Sequence, residues 1–98
     1  MANLIAVAES QARQLLTTAF HAAIQKGLLP QGEVPPFTIE IPADTSHGDF
    51  ASNAAMVSAR AFKSAPRKIA EAVCESLDLS ATFFDRWEIA GPGFINLF

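Results

Sequence analysis

Near the end of the chain, Phe94, Asn96 and Phe98 occupy every second position of F-I-N-L-F. If this stretch is a strand, alternation puts these three side chains on one face and Ile95 and Leu97 on the other. With Ile95 and Leu97 turned to the core, two aromatics flanking an amide point outward. An exposed ring can stack on an unpaired nucleotide base, and a carboxamide beside it can hydrogen-bond the base edge. The competing arrangement buries Phe94 in the core and bonds Asn96 to backbone. It encloses an amide between two phenylalanines, at about 1–3 kcal/mol if the amide is left unpaired.

Other residues with chemical potential carry less. Asp44, His47 and Asp49 lie close in sequence, but no second histidine or acidic cluster makes them a metal or acid–base site. Asp49 is read as the N-cap of a following helix, after a turn at Gly48. Gly91-Pro92-Gly93 begins a G-x-G-x-x pattern whose sixth position is Asn96, and it leads into a strand, so a dinucleotide site is rejected. No P-loop and no nucleophile–base pair is visible. His21 is assigned no role. Cys74 is a lone cysteine, read as a small buried hydrophobe. Arg60, Lys63, Arg67 and Lys68 cluster between two predicted helices. They are candidates for contacts to a nucleic-acid backbone, or a solvated face with Arg67 and Glu71 as i,i+4 neighbours.

The elements that position these residues follow from periodicity. Residues 3 to about 26 read as one amphipathic helix with Leu4, Ile5, Ala8, Ala12, Leu15, Leu16, Ala19, Phe20, Ala23 and Ile24 on its apolar side. Gly27 suits the position just past its end, and Pro30 confirms the stop. A proline- and glycine-rich loop covers 28–36. Phe37, Ile39 and Ile41 alternate with Thr38 and Glu40 in a half-buried strand that Pro42 ends. An alanine-rich helix is predicted from about Phe50 to Lys63, and a third helix over 66–78, with Pro66 in its first turn and Ile69, Ala70, Val73 and Leu77 buried. Trp87 and Ile89 oppose Glu88 and Ala90 in a second strand, Gly91–Gly93 turns, and the last strand closes the sheet. The order α, β, α, α, β, β predicts an α+β fold, a small antiparallel sheet covered by helices on one face.

At 98 residues the chain suits one domain with a modest core. Half its residues are hydrophobic, with no run near the roughly 18 needed to span a bilayer. The N-terminus lacks a basic region, and Glu9 breaks its apolar run, so a cytosolic location is expected and no membrane partner. The formal net charge of −3 argues against broad phosphate neutralisation. It suits a module that makes few phosphate contacts and reads one or two bases; DNA is not an expected partner.

Three blocks carry a resemblance: H-G-D-F-A-S-N-A-A-M (His47 to Met56), A-P-R-K-I-A-E (Ala65 to Glu71) and E-I-A-G-P-G-F-I-N-L-F (Glu88 to Phe98). In this order and spacing they resemble the N-terminal additional domain of bacterial arginyl-tRNA synthetases, over essentially the whole chain. The resemblance implies a module that precedes a class I catalytic domain, packs on the tRNA elbow, contacts the D loop and helps select tRNA-Arg. It implies that Phe94 stacks on an unpaired D-loop base and that Asn96 bonds its edge. At Gly91 some relatives carry a polar side chain that also touches the loop; here that contact is absent or made by backbone. The family's catalytic signatures, resembling H-I-G-H and K-M-S-K-S, are missing. The chain is therefore read as a fragment that does not itself activate arginine and needs no cofactor. Its parent would join arginine to tRNA through an adenylate, using ATP and Mg²⁺. A purely structural module, with Phe94 and Phe98 buried against the catalytic domain, is the rival expectation.

Overall fold

The computed structural model describes residues 4–42, 48–80 and 82–98. Asp44 and His47 lie outside the described residues. Helix α1 spans Leu4–Gln25. Ala12, Leu16, Ala19, Phe20 and Ala23 recur at three- and four-residue intervals and are almost wholly buried, so one stripe faces the core. Ile5 belongs to the same periodic set but is 54% exposed. The helix ends as its sequence predicts. Gly27 takes φ +78°, its N–H donates to the Ile24 carbonyl at 3.1 Å, and the Leu28 N–H donates to Ala23 at 2.9 Å. This pair of bonds satisfies carbonyls that the last turn would leave open.

Strands β1 (Ile39–Glu40), β2 (Phe50–Ser52), β3 (Trp87–Ala90) and β4 (Phe94–Leu97) form one antiparallel sheet in the order β1-β2-β4-β3. Helices α2 (Ala54–Phe62) and α3 (Pro66–Glu75) complete the described elements. The three helices pack against the sheet as the α+β reading requires. Their shared core includes Phe20 and Phe62, whose rings stack at 5.9 Å, together with Ile69, Val73, Ile95 and Leu97. Ala54 and Ala55 are fully buried, and Ser58 between the turns satisfies its hydroxyl by donating to the Ala54 carbonyl at 2.6 Å. Small side chains let α2 lie close to its neighbours. Among the described residues no helix is long and apolar enough to cross a membrane.

The second helix departs from its sequence prediction. Phe50–Ser52 is a strand, α2 begins only at Ala54, and Asp49 is not its cap. Asp49 instead leads into β2, its N–H donating to the Leu97 carbonyl at 2.8 Å. Ladder bonding to β4 outweighs the helical propensity of an alanine-rich stretch. The helix start is served by Ser52, whose hydroxyl accepts from the Ala54 N–H at 3.1 Å; Asn53 caps without a side-chain bond, its carboxamide oxygen accepting instead from the Thr38 N–H at 2.9 Å. Gly48 takes φ +96°, and a Cβ there would lie 2.7 Å from the Leu97 carbonyl oxygen, so only glycine lets the chain pass β4 this closely. The first strand is shorter than the predicted 37–41, and α3 ends at Glu75 rather than 78, where Ser76 closes it.

Candidate nucleic-acid interface

Strand β4 lies between β2 and β3, so its backbone is held from both sides. Phe50, Ala51 and Ser52 pair with Leu97, Asn96 and Ile95; Trp87, Glu88, Ile89 and Ala90 pair with Leu97, Asn96, Ile95 and Phe94. Ile95 and Leu97 are 0% and 1% exposed and belong to the core. By alternation Phe94, Asn96 and Phe98 share the opposite face of β4, the face the helices leave uncovered.

The three side chains are not equivalent. Phe94 is 37% exposed and offers a free ring face. Asn96 is only 3% exposed: it is recessed between Ala51 and Glu88 rather than projecting. No side-chain hydrogen bond ties its carboxamide to another described residue. Nor is it among enclosed, unpartnered polar atoms, of which the described residues contain none. Its donor and acceptor are therefore recessed on this face and not used in side-chain hydrogen bonds among the described residues. Phe98 is half-buried and capped by Arg86, whose guanidinium carbon sits 3.7 Å from the ring centroid. Arg86 in turn donates from Nη1 to Glu88 Oε1 at 2.6 Å. Outward alternation alone would have made Phe94 and Phe98 alike. The difference comes from Arg86, two residues before Glu88 on the same face, a parity the sequence does contain.

The turn that delivers Phe94 is anchored from below. Gly91 and Gly93 take φ +56° and +139°, and the Gly93 N–H closes the turn on the Ala90 carbonyl at 3.2 Å. A Cβ on Gly93 would lie 3.0 Å from the Pro66 carbonyl carbon, so the turn rests directly on the first turn of α3. Arg67 reaches across from α3 and donates from Nη1 to the Gly91 carbonyl at 3.0 Å. It bonds there instead of pairing with Glu71; the ion pairs among the described residues are Glu9–Arg13 and Arg86–Glu88.

The basic candidates do come together. Arg60 lies in the last turn of α2, Lys63 ends that helix in the left-handed conformation, and Arg67 and Lys68 open α3; all four are exposed. Through Pro66 and Arg67 this cationic junction adjoins the Gly91–Gly93 turn. The turn that leads into Phe94 thus sits beside the start of α3, where two of these cations lie. The glycine-rich turn opens into β4 and not into a helix, so these residues do not fit the phosphates of ATP.

Comparison with known proteins identifies the family. Residues 14–98 match the family model described as "Arginyl tRNA synthetase N terminal domain". The chain is 43% identical over its whole length to an arginine–tRNA ligase of Acetivibrio thermocellus, covering 17% of that relative. It is 47% identical, again over its whole length, to one of Desulforamulus reducens, covering 18%. To one of Desulfosudis oleivorans it is 50% identical over 84 residues, covering 86% of this chain and 15% of the relative. The chain thus spans less than a fifth of the length of these curated relatives. A match of this extent, on the fold and surface just described, means that the chain belongs to the arginyl-tRNA synthetase N-terminal domain family.

Proposed function

We propose that this chain is a tRNA-binding module that recognises an unpaired base in the D loop of tRNA-Arg. In this reading Phe94 supplies the stacking surface and Asn96 the base-edge contact. The observation that carries it is a partly exposed ring beside a recessed amide that makes no side-chain hydrogen bond to another described residue, two positions apart on the interior strand β4. A base laid on the Phe94 ring extends along the strand over the next outward position, about 7 Å away, where the Asn96 amide lies. The recess favours discrimination: a recessed amide is cut off from water once a base covers it, so a mismatched edge leaves it unpaired. Lys63, Arg60 and Lys68 would contact neighbouring phosphates. Arg67 is engaged by the turn and contributes its charge more than a free side chain. The whole protein of which such a module forms part would be an arginine–tRNA ligase, with its ATP and Mg²⁺ chemistry residing in a catalytic domain that this module adjoins.

The test is affinity for tRNA-Arg transcripts carrying each base at the unpaired D-loop positions. Phe94→Ala is expected to weaken binding to all of them by about tenfold, since a stacked base contributes roughly 1–3 kcal/mol. Asn96→Leu keeps the volume of a recessed residue, so the fold should hold while the affinities for different bases converge. An unchanged preference among bases in Asn96→Leu would refute the assigned role.

A second reading, docking on another domain, has its own supporting observation. Ile5, Ile41 and Phe83 are 54%, 60% and 56% exposed and border an apolar groove of about 380 Å³ floored by Phe50 and Phe84. None of the β4 face residues lines it. The two readings therefore concern different surfaces, and Asn96→Leu separates them, because an interdomain groove is indifferent to that substitution.

A further inference from the structure

The open face of the sheet carries a second flat surface besides the Phe94 ring. We propose that the Arg86–Phe98 stack is a second nucleotide-stacking position, which takes an unpaired base neighbouring the one held by Phe94 and Asn96. The inference rests on the base-reading function proposed above and extends it from one nucleotide to two.

The geometry is specific. Phe98 lies opposite Arg86 across the β3–β4 ladder: its N–H donates to the Arg86 carbonyl at 3.0 Å, and its own carbonyl accepts from the Asp85 N–H at 2.7 Å. That register puts both side chains on the face of Asn96 and Glu88. The guanidinium lies over the ring at 3.7 Å, and Glu88 fixes it from the edge at 2.6 Å. A guanidinium held by its edge and backed by a ring is presented as a plane, with its outer face to solvent; the Arg86 side chain remains 56% exposed. A π-face of this kind stacks on any base. Glu88 has a second consequence. It balances the Arg86 charge, and Glu40 adds an acidic group on the same face, so the site offers no net positive charge to a phosphate and favours a neutral base. Phosphate contacts then fall to the basic α2–α3 junction. Phe94 and Phe98 are four residues apart along the strand, about 13 Å, with Asn96 midway. That separation accommodates two splayed bases on either side of the amide.

The experiment uses the chain and a D-loop hairpin of tRNA-Arg, intact or with an abasic nucleotide immediately 5′ or 3′ of the read base. Affinities are measured for the unaltered protein, Arg86→Ala, Arg86→Lys and Phe94→Ala. One abasic neighbour is expected to weaken binding to the unaltered protein about tenfold. Arg86→Ala should lose a similar factor on the intact hairpin, and the same abasic neighbour should then cost it little further. Arg86→Lys, which keeps the charge without the plane, should behave as Arg86→Ala does. Full affinity in Arg86→Lys, or an undiminished abasic effect in Arg86→Ala, would show that Arg86 acts only through its charge or its ion pair and would overturn the proposal. If Phe94→Ala still weakens binding in that case, the base-reading function survives alone. If neither Phe94→Ala nor Arg86→Ala changes affinity, both fall together. A destabilised Arg86→Ala fold is recognised separately by its melting temperature and does not by itself remove a dependence on one neighbouring base.

Discussion

Replacing Gly93 by alanine should both destabilise the fold and displace strand β4. The residue adopts φ +139°, a region L-residues rarely enter, and an added Cβ would meet the Pro66 carbonyl carbon and Cβ at 3.0 Å and its oxygen at 3.1 Å. Two effects add. The backbone conformation costs about 1–3 kcal/mol for a side chain, and forcing a methyl against helix backbone that cannot rotate away costs about 1–3 kcal/mol more. Restricting the unfolded chain returns about 0.4–1 kcal/mol. The expected net loss is about 3 kcal/mol, a large share of the roughly 5–15 kcal/mol that stabilises a small domain. Gly27→Ala is the control: φ is +78° but nothing lies within 4 Å of the new methyl, so the loss should be about 1 kcal/mol. Urea unfolding followed by fluorescence of Trp87, the single tryptophan and a half-exposed residue of β3, reads both. At about 1 kcal/mol per molar urea, the Gly93→Ala midpoint should fall about 2 M below that of Gly27→Ala. Coincident midpoints would refute the idea that the turn is seated on α3.

Other outcomes follow from single residues. Lys63→Gly relieves the only left-handed non-glycine backbone among the described residues and should raise the melting temperature by several degrees; a fall would mean that the Lys63 side chain holds the junction together. The Cys74 thiol is buried, and burial pushes its pKa up from 9.0 to about 12. Because the folded protein resists ionising a group that the unfolded chain ionises near pH 9, stability from this residue is intact below pH 9 and lost as pH rises from 9 towards 12. The urea midpoint should fall more between pH 8 and 10.5 in the unaltered protein than in Cys74→Ala; equal falls would contradict the burial. Lys63→Glu with Lys68→Glu should flatten the salt dependence of tRNA binding by about 0.7 for each phosphate no longer neutralised, measured as the slope of log affinity against log salt. An unchanged slope would mark the junction as a solvated face.

The sequence carried the helices and the last strand more clearly than the start of the sheet. Helix α1 and its glycine stop were legible because apolar spacing and chain-ending chemistry agree over more than five turns. The last strand was legible from strict alternation, and Ile95 and Leu97 do face the core. Phe50–Ser52 was not legible: three residues cannot show a period, and alanine and asparagine favour the helix that follows. What makes this stretch a strand is β4, more than forty residues away in sequence, with Gly48 permitting the approach. At the candidate site, the types Phe94 and Asn96 were visible but their depths were not. The recession of Asn96 depends on cross-strand register, which no local pattern encodes; Arg86 shares parity with Glu88 in the sequence, but which residue of the last strand it covers is set by that register too.

The most direct measurement is an NMR titration of the labelled chain with tRNA-Arg, repeated with the same tRNA altered at one unpaired D-loop base. The base-reading account expects shifts centred on Gly93 to Leu97, including the Asn96 carboxamide, that shrink with the altered tRNA. Shifts absent from Asn96 with the chain folded and tRNA in excess would contradict it, and would leave selection of tRNA-Arg to another surface.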